Sequence, residues 1–221
     1  MHSEEILKSG IYSRLSNPMY LTVKRIMDIA LAALGLLITS PLLGMIALLV
    51  KIESRGAIFF CQWRIGEGGR KFLLYKFRTM YDHSDQLLGD YFRGDPTQRI
   101  SWEQFQKLHN DPRLTRMGKF LRRSSLDELP QLWNILIGEM SLVGPRPILL
   151  DQREIYGPAY YAYIEMRPGL TGLWQVTGRN HVSFAKRAQL DVDYAANWSL
   201  KLDLNILLRT VPVVIRGDGA F

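Results

Sequence analysis

Hydrophobic and polar positions along this chain fall into three regimes. Residues Ile29–Val50 carry no charged side chain over 22 positions. A straight helix of that length reaches ~33 Å, about the thickness of the hydrocarbon core of a bilayer. Ser40–Pro41 stands near its middle. Proline has no N–H to donate and clashes with the carbonyl one turn back, so the pattern predicts a helix that kinks or turns there. Next, Ile58–Trp63 and Phe72–Phe77 are short apolar and aromatic runs joined by Gly66-Glu-Gly-Gly69, the pattern of a β-hairpin. The remainder reads mainly as helix. Asp82–His109 is polar and helical, with Tyr91, Phe92, Trp102 and Phe105 to pack it. Leu129, Leu132, Ile135 and Leu136 recur at helical spacing, and Val182–Trp198 and Leu200–Ile215 read as two amphipathic helices, the second either closing the core, the safer reading, or lying on the membrane surface. Gly144-Pro-Arg-Pro147 and Pro168-Gly-Leu-Thr-Gly172 read as turns. The predicted fold is α+β, mainly helical. A flexible arm covers 1–18, an interfacial and membrane helix covers 19–56, and a small domain with the hairpin covers 57–221.

Charge sharpens the membrane segment. Lys24 and Arg25 precede the apolar run, and Lys51 and Arg55 follow it. Basic residues mark the cytoplasmic side of a membrane, and here they flank both ends, which predicts a re-entrant helix that enters and returns at Ser40 and Pro41. Asp28 abuts the run and 28 residues precede it, unlike the short apolar core and cleavage site of a secretory signal. A buried helix of a soluble domain fits less well, because the run has no polar face. Beyond residue 50 there are 24 Lys/Arg against 18 Asp/Glu. That basic balance suits anionic headgroups, phosphorylated substrates or nucleic acid. Cys61 is the only cysteine, so no internal disulfide forms, as expected of a domain in a reducing compartment. His2, His83, His109 and His181 are scattered, which argues against a histidine metal site.

Candidate chemistry concentrates in three places. In Ser125-Leu-Asp-Glu-Leu-Pro-Gln-Leu132, Pro130 is tolerated only in the first turn of a helix, so a helix is expected to start close to Asp127. Asp127 and Glu128 then lie at its positive end. They either cap the helix, with Ser125 and Glu128 as a capping box, or work as a carboxylate pair with a divalent cation and a phosphate. In Val143-Gly-Pro-Arg-Pro147, two prolines stiffen the backbone around Arg146, which favours engagement of a planar anion. The third feature is a basic set: Lys76, Arg78, Arg113, Arg116, Arg122 and Arg123. Such residues are either solvated faces or, grouped beside an acidic pair, a pyrophosphate site.

A family resemblance runs through these residues. The ordered set is Lys24-Arg25-x-x-Asp28, Ser40-Pro41, Gln62-x-Arg64-x-Gly66, Lys76-Phe-Arg-Thr-Met80 and Leu126-Asp-Glu-Leu-Pro-Gln-Leu132. It continues with Gly138-Glu-Met-Ser-Leu-Val-Gly-Pro-Arg-Pro147 and Arg167-Pro-Gly-Leu-Thr-Gly-Leu-Trp-Gln175. The chain from about Tyr20 to Phe221 resembles the bacterial sugar transferases, the monotopic polyprenyl-phosphate phosphoglycosyl transferases. It is most similar to exopolysaccharide-initiating members that transfer galactose- or glucose-1-phosphate. Ala57 stands where proline is common and Glu139 where aspartate is common, neither touching the proposed chemistry.

The resemblance implies a two-step transfer from a UDP-sugar to undecaprenyl phosphate, with Mg²⁺. Asp127 attacks the phosphorus bearing the sugar and UMP leaves; the lipid phosphate then opens the phosphosugar–aspartate. Glu128 falls on the family's metal ligand and Arg146 on its phosphate-binding motif. Lys76, Arg78, Arg113, Arg122 and Arg179 are further phosphate-binding candidates, and Pro168–Gly172 with Arg179 is a candidate uridine site. The implied location is the bacterial inner membrane, with the catalytic domain on the cytoplasmic face. Expected partners are the UDP-sugar, undecaprenyl phosphate and membrane lipids, and no nucleic acid. Aromatic residues around Tyr160–Tyr163 and Trp198 are candidates for a homodimer interface. Two other classes compete: a non-enzymatic membrane-attached scaffold, which leaves the acidic pair without a role, and a nucleic-acid binder, for which no recognition motif is present.

Overall fold

A computed structural model describes residues 18–95, 108, 111–177 and 183–216. The expected arm at 1–17, most of the segment 96–110 with Trp102 and Phe105, and Arg179 lie outside the described residues. The chain is mostly helical. A first helix, α1 (Pro18–Glu53), leads into an antiparallel hairpin of β1 (Phe59–Ile65) and β2 (Lys71–Phe77). Then come α2 (Ser84–Gly94), α3 (Arg116–Ser124), a 3-10 turn at Leu126–Glu128 and α4 (Gln131–Ile137). Strand β3 (Ser141–Val143), α5 (Gln152–Tyr156) and α6 (Ala159–Ile164) precede β4 (Gly169–Thr171). The last helices are α7 (Leu173–Thr177), α8 (Phe184–Asn197) and α9 (Leu200–Arg216).

Helix α1 is a single element of 36 residues that runs through Pro41 rather than ending there. The local chemistry explains how. Pro41 cannot donate to the Leu37 carbonyl, and the Ser40 hydroxyl donates to that oxygen instead, at 2.8 Å. Ser40 thus satisfies the acceptor that the proline orphans. The helix is long and apolar enough to cross a membrane, with a mean hydropathy of 2.3 over its most apolar window. Its middle is bare: Leu37 is 71% and Ile38 68% exposed, a contiguous apolar surface of a kind that soluble chains avoid.

Both ends of α1 are fastened to the same globular domain. Near the start, Lys24 Nζ donates to Asp203 at 2.6 Å and to the Val143 carbonyl at 3.2 Å. Arg25 donates to the Ile135 and Leu136 carbonyls at the end of α4. Asp28 accepts from Leu142 N at 3.0 Å, and Ala32 and Leu36 join the main core with Leu132, Ile135 and Val143. At the far end, Ile46 and Val50 pack with Phe77 and Leu121, each such side chain stabilising by roughly 1.5–3 kcal/mol. Glu53 there accepts from Met117 N at the start of α3. Lys24 and Arg25 are therefore bonds within the protein, not free positive flanks, whereas Lys51 and Arg55 remain at the surface. The charge argument for topology holds at one end of the run only.

The hairpin forms as expected, closed by Gly68 and Gly69, both at positive φ. A second sheet was not anticipated. Strands β3 and β4 pair in parallel, Ser141 with Gly169 and Val143 with Thr171, β4 within the segment Pro168–Gly172 that reads from sequence as a turn and β3 just before the other, Gly144–Pro147. Their backbones approach so closely that a Cβ on Gly169 would lie 2.1 Å from Gly144 N, so both positions require glycine. Helix α9 buries Ile206 and Asp203 while Leu204, Leu208 and Val211 stay exposed; one face closes the core and the other does not. Of the aromatics proposed for an interface around Tyr160–Tyr163 and Trp198, Tyr160, Tyr163 and Trp198 are buried in the chain's own core, while Tyr161 is exposed. Tyr163 donates to the Ile65 carbonyl and Trp198 Nε1 to Asp203.

Candidate active site

Helix α3 ends in an unusual residue: Ser125 is the one non-glycine at positive φ (57°) among the described residues. That turn of the backbone redirects the chain into the 3-10 turn Leu126–Glu128, which carries the acidic pair. Left-handed backbone at a serine is strained, and such strain concentrates where function over-determines geometry. The expected capping box does not form, since the Ser125 side chain makes no cap bond; Glu128 N donates to the Ser125 carbonyl instead. Helix α4 starts only at Gln131, with Pro130 as its N-cap residue, three residues later than the sequence suggested.

Asn134 fixes this segment against the hairpin. Its Oδ1 accepts from Tyr75 N at 3.2 Å and its Nδ2 donates to the Leu73 carbonyl at 2.8 Å and to Glu139 at 2.7 Å. Fully buried and fully used, it sets α4 in register with β2 and so brings Lys76 to Glu128. The Lys76 Nζ to Glu128 Oε1 distance is 2.5 Å. Arg146 reaches the same carboxylate oxygen at 3.9 Å. Its loop is held by bonds from Gly144 N to the Thr171 carbonyl and from Gly169 N to the Pro145 carbonyl. A small polar cavity between these parts is lined by Arg64, Lys76, Glu128, Gln131 and Arg146.

Asp127 is 8% exposed. Burial pushes its carboxyl up to about 6, with Glu128 adding to the shift and Lys76 and Arg122 opposing it. A carboxylate so placed is ionised at neutral pH and poorly solvated, which suits a nucleophile. Arg122 stands nearby, its Nε donating to Thr79 Oγ1 at 3.0 Å. The chain therefore brings together Asp127, Glu128, Lys76, Arg122 and Arg146 out of the residues expected to bind or react.

Two expected phosphate ligands are engaged elsewhere. Arg78 is buried and donates to the carbonyls of Ser54 and Arg55 and to Asp82, so it ties the end of α1 to the hairpin. Arg113 forks onto Asp111 through Nε and Nη2 at 2.8 and 2.6 Å. Arg116 and Arg123 point to solvent on α3, with Arg116 on the rim of an apolar groove lined by Leu49, Ile52, Met117 and Phe120.

Other residues were not foreseen. Arg64 donates to the Pro147 carbonyl at 3.2 Å, and burial together with the Arg146 charge lowers its guanidinium to about 10. Arg146 and Arg187 both lie against the Trp174 ring, 5.3 and 4.7 Å from its centre. Asp191 is buried beneath them, raised to about 7 by that burial, and accepts from Tyr156 at 2.8 Å. Polar residues interrupting apolar helical faces, Asn134 and Asp191, were the signal available in the sequence. Arg187 on an amphipathic helix gave none.

Among the described residues no group of three or more His, Cys, Asp or Glu forms a metal cage. Asp127 and Glu128 nevertheless fit Mg²⁺, which takes one or two carboxylates and completes its shell with water and substrate phosphate. Glu128 would hold it, sharing its charge with Lys76.

Fold and site define an enzyme with one candidate membrane helix and a carboxylate pair set among cations. Residues 19–217 match the model of the family described as Bacterial sugar transferase, and the chain belongs to that family. It is 48% identical over 198 residues to the exopolysaccharide production protein ExoY of Rhizobium meliloti, covering 90% of this chain and 88% of that one. It is 44% identical to the undecaprenyl-phosphate galactose phosphotransferase of Salmonella typhimurium over 99% of this chain and 46% of the relative. With the UDP-glucose:undecaprenyl-phosphate glucose-1-phosphate transferase of Caulobacter vibrioides the identity is 41%, over 90% and 72%. The chain thus spans most of the ExoY protein and about half the length of the Salmonella relative.

Proposed function

We propose that this enzyme transfers a sugar-1-phosphate, galactose- or glucose-1-phosphate, from a UDP-sugar to undecaprenyl phosphate, releasing UMP in the first membrane step of exopolysaccharide assembly. The observation that carries the reading is that Glu128, Lys76 and Arg146 meet at one cavity, with Asp127 beside Glu128 and its buried carboxyl under the charges of Lys76 and Arg122, in a chain of this family. The names of the Salmonella and Caulobacter relatives support the lipid and the sugar phosphate.

Asp127 attacks the phosphorus that bears the sugar. Its buried carboxylate is short of solvation, and Lys76 and Arg122 keep it ionised and offset its repulsion from the pyrophosphate. The acyl phosphate formed is reactive enough for a lipid phosphate to open in a second displacement. Glu128 would hold Mg²⁺, which when bound would neutralise pyrophosphate charge. Arg146 orients the phosphates from a loop stiffened by two prolines.

The membrane reading follows from α1. A helix whose Lys24 end and Glu53 end both bond to one domain keeps that domain on a single side of the bilayer, while the exposed Leu37 and Ile38 dip into one leaflet. That re-entrant arrangement at the cytoplasmic face of the inner membrane brings the cavity to headgroup level, where a lipid phosphate meets a soluble nucleotide sugar.

Purified protein in detergent with undecaprenyl phosphate, Mg²⁺ and a panel of UDP-sugars tests the proposal by UMP release. Release with one or more sugars is the expected result. Silence of the wild type across the panel overturns the reading, and full turnover by Asp127→Asn overturns the nucleophile alone.

A further inference from the structure

Among the described residues six buried side-chain polar atoms have no hydrogen-bond partner, and four of these are N–H donors grouped about Arg146: Arg64 Nε, Gln131 Nε2, Trp174 Nε1 and Arg187 Nε. Arg64 and Gln131 line the cavity beside Arg146. Trp174 and Arg187 back it, through the ring contact that Trp174 makes with both guanidiniums. Buried donors are almost always paired, so four orphans around one side chain need a reason.

Charge points the same way. Arg64 and Arg187 each carry a lowered pKa, caused first by burial and next by the like charge of Arg146. Glu128, at 3.9 Å from Arg146, is already bound by Lys76. Three guanidiniums, Arg64, Arg146 and Arg187, thus meet in a partly buried place where repulsion is weakly screened, and the buried Asp191 beneath them, raised to about 7, offsets them only in part. A multiply charged anion with several acceptor oxygens relieves both defects at once.

Resting on the function proposed above, we propose that Arg64 and Arg187 join Arg146 and Gln131 in a leaving-group subsite for the phosphate of the departing nucleoside monophosphate. In the first displacement an Asp127 oxygen forms a bond to the sugar-bearing phosphorus. The bond from that phosphorus to the bridging oxygen breaks, and the oxygen leaves with the electron pair on the nucleoside monophosphate. No proton moves. The leaving phosphate goes from one negative charge to two, while Asp127 gives up its own on becoming an acyl phosphate. Negative charge thus migrates away from Asp127, where Lys76 and Arg122 attend it, and toward the guanidiniums of Arg64, Arg146 and Arg187. Donors placed where charge develops accelerate the step, whereas donors near Asp127 alone would hold the ground state.

The test compares binding of UMP and uridine by titration of the full chain in detergent, which needs no turnover. Wild type is expected to prefer UMP over uridine at least tenfold. Arg64→Gln and Arg187→Gln each lose that preference by tenfold or more and leave uridine binding within twofold. The lysine variants, which keep charge without the guanidinium fork, recover part of it and serve wherever a glutamine variant fails to melt cooperatively. Asp127→Asn keeps UMP binding while turnover stops, so failure of the transfer reaction and failure of this subsite are read separately. A wild type that does not distinguish UMP from uridine, or Arg64 and Arg187 variants that keep the wild-type ratio, overturns the subsite.

Discussion

The anchor of α1 and the cavity around Arg146 are built from the same residue types and treat them in opposite ways. At the anchor, Lys24 meets Asp203 and the Val143 carbonyl, Tyr194 donates to the other oxygen of Asp203, and Asp28 accepts from Leu142 N. Each charge is buried and matched. At the cavity, Asp127 is buried against its preference for water, Arg64 and Arg187 repel Arg146, and four donors lack acceptors. The first arrangement fixes where the membrane helix sits. The second leaves charges and donors without full partners inside the protein. Sequence distance hides their connection: the Val143 carbonyl that Lys24 holds ends β3, and Arg146 follows three residues later, so the anchor also bears on the position of the Arg146 loop.

The sharpest way to break the contrast is Asp127→Asn. Its turnover should fall by at least ~10³-fold, about 4 kcal/mol of transition-state stabilisation, measured as UMP release. Stability should move the other way. The folded carboxyl titrates near 6 and an unfolded one near 4, so the native state holds a proton in that window that the unfolded chain has lost. Stability from this group therefore falls as pH rises through the window, and the asparagine variant should be more stable at pH 8 by on the order of 2 kcal/mol.

Lys24→Met tests the matched side. It strands Asp203, which is fully buried, and removal of one partner from a buried pair costs about 3–5 kcal/mol. Thermal denaturation in detergent should show that loss, together with weaker UMP binding if the anchor positions the Arg146 loop.

A milder perturbation is pH itself. Protonated Asp127 cannot attack, so single-turnover UMP release should drop about tenfold per unit below pH ~6. Removal of the Lys76 charge by Lys76→Met should move that limb to higher pH, because Lys76 favours the ionised carboxyl. The smallest effect is expected at Arg93, whose ion pair with Asp90 is exposed on both sides. Arg93→Ala should change stability by less than about 0.5 kcal/mol and leave activity untouched, which separates surface charge from both regions.

Much of the scaffold was legible in the sequence because its signals are local. Uncharged length marked α1, alternating apolar runs around Gly66–Gly69 marked the hairpin, and helical spacing placed α8 and α9 within two residues. The adjacency of Asp127 and Glu128 marked the candidate site. What escaped detection depends on pairing across the chain. Strands β3 and β4 are three residues each and meet only because Gly144 and Gly169 allow backbone contact. Lys24 and Arg25 have the composition of a topological flank, yet their partners lie more than 100 residues away. Arg78 and Arg113 share the composition of phosphate ligands but are occupied by carbonyls and Asp111. Arg187 reads as a solvated helix charge until Trp174 is placed beside it.

The central claim, that buried Asp127 carries the sugar phosphate between donor and lipid, is tested most directly by intact-protein mass spectrometry after incubation with a UDP-sugar and Mg²⁺ in the absence of undecaprenyl phosphate. The account predicts a mass gain of one hexose phosphate on the Asp127 peptide, with equimolar UMP, that disappears on adding the lipid phosphate. Unmodified protein, with UMP released only once the lipid is present, would contradict it.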